Sequence, residues 1–227
     1  MLSAMAAPAP PGLSGWGVVL VAAGAGARFG GPKAWAILGG RTLLRRSADA
    51  FAHVPDRVVA VRAEDRGRVD LPGWTVVAGG ARRRDSVAAG LAALRPGTGH
   101  VLVHDAARPL VSRAVIDRVV AAAAETGAAI PVVAVTDTIK QLAEGRVAGT
   151  PERTSLAAAQ TPQGFRVALL RKALAAVSRD ATDDAALVEA TGASVIAVAG
   201  DPANVKITTP LDLALAEALL GGSVSDV

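Results

Sequence analysis

Five charged side chains stand where an apolar run gives way to a turn rich in glycine, alanine or proline: Arg28 and Lys33 in AAGAGARFGGPKAW, Asp105 and Arg108 in VLVHDAARP, and Lys206 in NVKITTPLD. A turn with little side-chain bulk lets backbone N–H groups approach a ligand closely, and such donors with two cations suit phosphate oxygens. Asp105 closes an apolar run and could face a metal-phosphate or a ribose hydroxyl. Neighbouring His104 reads as a histidine at the edge of the core.

The lysines carry a second signal. The chain has 20 Arg and only 4 Lys, so a generic surface cation here is an arginine and each lysine needs a reason. Lys172, in LLRKAL, reads as solvated on a helix, and Lys140, in TDTIKQ, stays open. Lys33 and Lys206 lie in motif-like settings. Thr209, Pro210 and Asp212 have the spacing of a capped helix start. That leaves Lys206 unexplained, in a short strand before that helix and beside the only asparagine, Asn204.

Two common phosphate fingerprints fail. Gly24 and Gly26 are followed by Phe29 where a dinucleotide-binding turn needs its third glycine. Pro32 and Ala34 flank Lys33 where a P-loop needs Gly and Ser or Thr. A longer loop aiming Arg28 and Lys33 at one polyphosphate is the remaining reading.

Positioning these groups requires a scaffold with loops at one edge. The runs GVVLVA, RVVAVRA, WTVVAGG, HVLVHDAA, AAIPVVAV and ASVIAVAG alternate with helical patterns such as DSVAAGLAAL and SRAVIDRVVAAAAETG. Near-continuous apolar strands separated by helices predict an α/β fold, a mostly parallel Rossmann-like sheet flanked by helices. Such sheets bind ligands beyond the carboxyl ends of their strands, which is where the charged motifs fall. Residues 137–153 are too polar for a core helix and read as a protruding β-arm, turning near Glu144 and Gly145.

Composition narrows the class. A chain of 227 residues, 51% of them apolar, fits one sizeable domain, predicted over 16–227 behind a tail over 1–15. With no cysteine, disulfides and thiolate metal sites are excluded and a reducing cytoplasm is the expected home. The opening lacks a signal-peptide pattern, and no apolar run reaches the ~18 residues of a membrane span. Three Phe, three Trp and no Tyr leave few stacking platforms, so the basic run at Arg82–Arg84 does not predict nucleic-acid binding.

Taken in order, AAGxGxRF…PK, GGxxRxDSVxxGL, VLVHDAARP, DTIK, TPQGF, TDDAxLVE and NVKITTPxDLxLAE resemble the 2-C-methyl-D-erythritol 4-phosphate cytidylyltransferases of non-mevalonate isoprenoid biosynthesis. The resemblance covers nearly the whole chain after the tail. It implies a nucleotidyltransferase of the sugar-nucleotide pyrophosphorylase-like fold, using CTP, a polyol phosphate and Mg²⁺, and dimerising through the arm. Arg28, Lys33 and Lys206 would then act on the developing charge. Ala22, Ala23, Gly24, Gly26, Gly80, Ala81 and Ser86 would line the CTP pocket. Asp105 and Ala106 would face the ribose, with Asp105 toward the metal. Arg108, Thr161 and Thr182 would meet the acceptor, joined by Thr138 and Arg153 of a second subunit. Thr161 also reads as a turn residue before Pro162, and Thr182 as the N-cap of the helix after it. Ala34 stands where many members carry Gln, and Ala81 where an acid often follows the glycine pair. The family's fused cyclase domain is not expected here. The same chemistry on another polyol phosphate such as ribitol 5-phosphate, or a nucleotide-binding module without turnover, is the alternative reading.

Overall fold

The computed structural model describes residues 12–24, 26–177 and 181–222. The predicted tail, residues 1–15, lies outside the described residues as far as residue 11. Its last part is joined to the domain, for the Gly15 carbonyl accepts from the backbone N–H groups of Gly99 and His100.

The chain opens with β1 (Trp16–Val21), the small hairpin β2 (Ile37–Leu38) and β3 (Arg41–Thr42), and α1 (Leu43–Ala50). Next come β4 (Asp56–Val61), β5 (Thr75–Ala78), α2 (Arg83–Ala92), β6 (His100–Asp105), α3 (Arg113–Thr126) and β7 (Ala128–Ala134). A second hairpin of β8 (Gln141–Ala143) and β9 (Arg146–Gly149) leads to β10 (Ala157–Ala159) and β11 (Gln163–Arg166). The chain continues through α4 (Val167–Ala176), α5 (Asp184–Glu189), β12 (Ile196–Ala199) and α6 (Pro210–Leu220).

The predicted α/β architecture is the one observed. β6, β1, β4 and β5 run parallel side by side, with β1 between β6 and β4. Val18, Val19, Val58, Val59, Val101 and Val103 are fully buried, as strands covered on both faces require. The six apolar runs named from the sequence correspond to β1, β4, β5, β6, β7 and β12.

The departures are β10, antiparallel to β7, and β11, which pairs antiparallel with both β6 and β7 and so sits inside the sheet. The four residues of β11, QGFR, include a glycine and two polar side chains, a pattern with no strand signature. Only Phe165 supplies core volume, fully buried against Val101 and Leu170 among others. The predicted short strand at Lys206 is also corrected: the segment 204–208 pairs with no sheet, and its Ile207 N–H donates to the Ala107 carbonyl at 2.8 Å.

Candidate active site

The register of the parallel strands sets the site. Val21 of β1 lies opposite Asp105 of β6, so the first loop and the HDAARP turn leave the sheet edge side by side. The Ala106 N–H donates to the Val21 carbonyl at 3.0 Å, and Ser47 of α1 donates its hydroxyl to the Ala106 carbonyl at 2.9 Å. The loop after β5 closes in from the other side, where a Cβ added to Gly79 would come within 2.4 Å of Ala23 Cβ. Only glycine allows that approach. Ser86 then accepts from the Gly80 N–H at 3.2 Å, which stiffens the turn into α2.

Between these loops lies a cavity of about 180 Å³. Of the residues expected to line the CTP pocket, Ala22, Ala23, Gly24, Gly80, Ala81, Ser86, Asp105 and Ala106 reach its wall, as do Lys33 and Lys206. Lys33 begins a short 3-10 turn, Lys33–Trp35, whose buried Ala34 packs into the core with Leu20 and Leu44. Gly26 does not line the cavity. It shapes the loop instead, at φ +68° with its carbonyl accepting from the Phe29 and Gly31 N–H groups. Arg28 lies exposed on the turn Ala27–Phe29, near enough to Lys33 to act on its charge.

Burial lowers the Lys33 pKa below its ordinary 10.5, and the nearby Lys206 lowers it further, only partly offset by Asp105. A desolvated cation among other cations binds an anion readily. Burial alone would push the Asp105 carboxyl up, but Arg83 and Lys206 outweigh it and hold the group well below the usual carboxylate range. Lys206 Nζ sits 2.7 Å from Asp105 Oδ2, and Arg83 Nε donates to Oδ1 at 3.2 Å. Arg83 also donates to Asp184 Oδ2 at 2.7 Å.

Asn204 and Gln160 explain how Lys206 is held. The Asn204 side chain donates to the Thr161 carbonyl at 2.9 Å, while Gln160 donates to the Asp201 carbonyl at 2.8 Å. These bonds staple the Lys206 loop to the segment between β10 and β11. Arg108 joins the same staple, donating to the Asn204 carbonyl at 2.7 Å and the Ala159 carbonyl at 3.3 Å.

Thr161 is buried and its hydroxyl is taken internally. It accepts from the Asp105 N–H at 3.1 Å and lies 3.1 Å from His104 Nδ1, while His104 Nε2 meets the Arg108 carbonyl at 3.0 Å. One arrangement satisfies every atom: Nε2–H donates to the carbonyl and Nδ1 accepts from the threonine. His104 is thus no edge residue but fully buried, tying the Asp105 and Arg108 turns together. Thr182 does not cap its helix either. Asp183 does, accepting from the Ala186 N–H at 3.0 Å. Thr138 and Arg153 lie exposed at the base of the β8–β9 arm, away from the cavity wall, where Arg153 donates to the Thr136 carbonyl at 2.5 Å. Lys140 donates to the Thr150 hydroxyl across the arm at 2.7 Å.

Arg83 has no role in the sequence reading, although it is part of the quoted motif GGxxRxDSV. The three arginines of the run RRR go separate ways: Arg82 pairs with Asp85, Arg83 turns inward, and Arg84 donates to the Leu174 and Val177 carbonyls. The signal that could have found it is the TDDA motif, where a second acid follows the capping one and demands a buried partner.

His104 gives a stability prediction. Burial lowers its pKa from 6.5 to about 4, partly opposed by its bond to the Arg108 carbonyl. Between those values the unfolded chain binds the proton and the folded chain does not, so stability is full above 6.5 and falls as pH drops toward 4. The loss should total roughly 3 kcal/mol. Urea midpoints at a series of pH values, compared with His104→Gln, should differ by a gap that narrows across that window. A constant gap would mean that His104 does not titrate in this range.

The chain matches the family model of 2-C-methyl-D-erythritol 4-phosphate cytidylyltransferase over residues 17–222. It is 51% identical over 209 residues to the 2-C-methyl-D-erythritol 4-phosphate cytidylyltransferase of Rhodococcus jostii, covering 88% of this chain and 92% of that one. It is 45% identical over 225 residues to the bifunctional enzyme IspD/IspF of a Bradyrhizobium strain, covering 92% of this chain but 57% of that longer protein. The crystal structure of the cytidylyltransferase from Thermus thermophilus superposes with a TM-score of 0.77 at 42% identity, over 89% of this chain and 97% of that one. The chain belongs to the 2-C-methyl-D-erythritol 4-phosphate cytidylyltransferase family.

Proposed function

We propose that the chain transfers CMP from CTP to 2-C-methyl-D-erythritol 4-phosphate, releasing pyrophosphate. The observation that carries this reading is the convergence of Lys33, Arg82, Arg83, Lys206 and Asp105 on one cavity whose other walls are Ala, Gly, Ser and Val residues. An oxygen of the acceptor phosphate attacks the α-phosphorus of CTP, and the bond from that phosphorus to the oxygen bridging the β-phosphate breaks, its electron pair leaving with pyrophosphate. The nucleophile is already an anion at neutral pH, so no base or covalent nucleophile is required of the protein. Positioning and charge neutralisation suffice.

Lys33 and Arg28 meet the triphosphate, and Lys206 meets the acceptor phosphate and the reacting phosphoryl group. Ala22, Ala23, Gly24, Gly80, Ala81 and Ser86 offer backbone groups to the cytosine, and Ala106 with Asp105 faces the ribose. Arg108, Thr161 and Thr182 belong to the acceptor side. For Thr161 the support is positional, since its hydroxyl orders the Asp105 backbone.

A divalent cation, Mg²⁺, fits one way only. Among the described residues no three His, Asp or Glu side chains cluster as a metal cage. Asp105 is the one carboxylate among the described residues of the cavity wall, which suits an ion held mostly by phosphates and water. Bound there, it would neutralise triphosphate charge.

The chain acts as a homodimer joined through the arm, in the cytoplasm. The exposed Leu142 and Val147 on β8 and β9 support the first. The absence of cysteine agrees with the second, and no described helix is long and apolar enough to cross a membrane.

The test incubates the protein with Mg²⁺, CTP and methylerythritol phosphate, with ribitol 5-phosphate in parallel. Expected is the CDP-alcohol of the first acceptor with one pyrophosphate per product, and CTP favoured over UTP and ATP. Turnover confined to the ribitol ester would transfer the reading to that acceptor, and no product from either would end it.

A further inference from the structure

Asp105 and Lys206 pose a problem that the proposed function does not address. Lys206 is the cation meant for phosphate, yet it is paired at 2.7 Å with a carboxylate whose side chain is only 11% exposed. A lysine that leaves such a partner strands a buried charge, and breaking a buried pair in that way is strongly unfavourable. Left to itself, Asp105 would hold Lys206 back from the substrate.

Arg83 removes the difficulty. Its guanidinium reaches Asp105 Oδ1, the oxygen that Lys206 does not use, and its other arm donates to Asp184, fully buried at the start of α5. The Asp184 backbone N–H donates to Gln163 Oε1 at 3.1 Å, so the anchor is tied to β11. The charges alternate in a row: Lys206, Asp105, Arg83, Asp184. The fork geometry lets one arginine bond two carboxylates in fixed directions, which an ammonium cannot do.

Resting on the proposed function, we propose that Arg83 is the standing counter-charge of Asp105, a positioning residue that frees Lys206 to move to the acceptor phosphate. With Arg83 in place, Asp105 keeps a partner and its orientation whichever way Lys206 points. Without it, Lys206 becomes the sole partner of Asp105 and stays there.

The experiment compares wild type with Arg83→Met, Arg83→Lys and the double variant Arg83→Met with Asp184→Asn. The double variant removes the charge that Arg83→Met would strand at Asp184, so it folds even if the single one does not. In Arg83→Met or the double variant, the acceptor KM should rise about tenfold or more, the loss expected for one charge-assisted phosphate contact, with a smaller change for CTP. Arg83→Lys should recover part of it. A merely structural arginine predicts instead that the double variant recovers both melting temperature and acceptor KM, which would overturn the inference. So would a CTP KM rising as much as that of the acceptor, since Arg83 would then serve the nucleotide directly.

A second readout does not need turnover. Reductive ¹³C-methylation labels the four lysines, and Lys206→Arg identifies the Lys206 signal. Inorganic phosphate, standing in for the acceptor phosphate, should shift that signal in wild type and much less in the double variant. Equal shifts in both would refute the counter-charge role. If wild type makes no product yet shows the Lys206 difference, the failure lies in the proposed reaction and not in the role of Arg83.

Discussion

Lys33→Ala and Lys206→Ala should each lower turnover by about a hundredfold or more, the usual effect of deleting a preorganised donor beside developing charge. Neither should lower the melting temperature. Lys206 has a side chain 42% exposed, and its removal leaves Asp105 still bonded to Arg83. Lys33 is held partly buried beside other cations, so deleting it relieves repulsion and removes a desolvated charge. A stable but inactive protein is the expected result in both cases. Unfolding of either variant, or near-normal turnover, would make that lysine structural.

The same burial gives Lys33 a pH signature. Because its pKa lies below the ordinary 10.5, its charge is lost sooner than that of a free lysine as pH rises. The kcat/KM for CTP reports the free enzyme, so its alkaline limb should begin below the pH at which an ordinary lysine titrates. Lys33→Arg, whose guanidinium stays charged throughout, should move that limb to higher pH. An unmoved limb would assign it to another group.

These lysines were legible in the sequence because the chain is otherwise served by arginine, and because both stand at the carboxyl edge that an alternating strand and helix pattern defines. The sheet was legible for the same physical reason: strands buried on both faces need long apolar runs. β11 was not, because it is held by ladder bonds to two neighbours and by one phenylalanine, neither of which leaves a periodic trace. Arg83 was hidden by its neighbours. Its partners lie 22 and 101 residues away, so only the fold reveals which arginine of three turns inward. His104 shows the converse. A histidine ending an apolar run looks dispensable until the bonds at both its nitrogens are known.

The arm carries the remaining large effect. Arg153 and Thr138 lie off the wall of their own cavity, and the β8–β9 hairpin exposes Leu142 and Val147 at 69% and 62%. A lone two-stranded hairpin is marginal in water, and a two-fold dimer is the commonest way to cover one. If the arm enters the neighbour's acceptor pocket, Arg153→Ala should raise the acceptor KM by about tenfold to a hundredfold, as loss of a charge-assisted phosphate contact would, and leave the CTP KM nearly unchanged. The decisive form mixes Arg153→Ala with Lys206→Ala under conditions that exchange subunits, assayed at an acceptor concentration where each homodimer is nearly silent. A heterodimer then has one site with both lesions and one with neither, so activity should return toward half of wild type per exchanged dimer. Proven exchange without recovery would mean that Arg153 serves its own subunit or none.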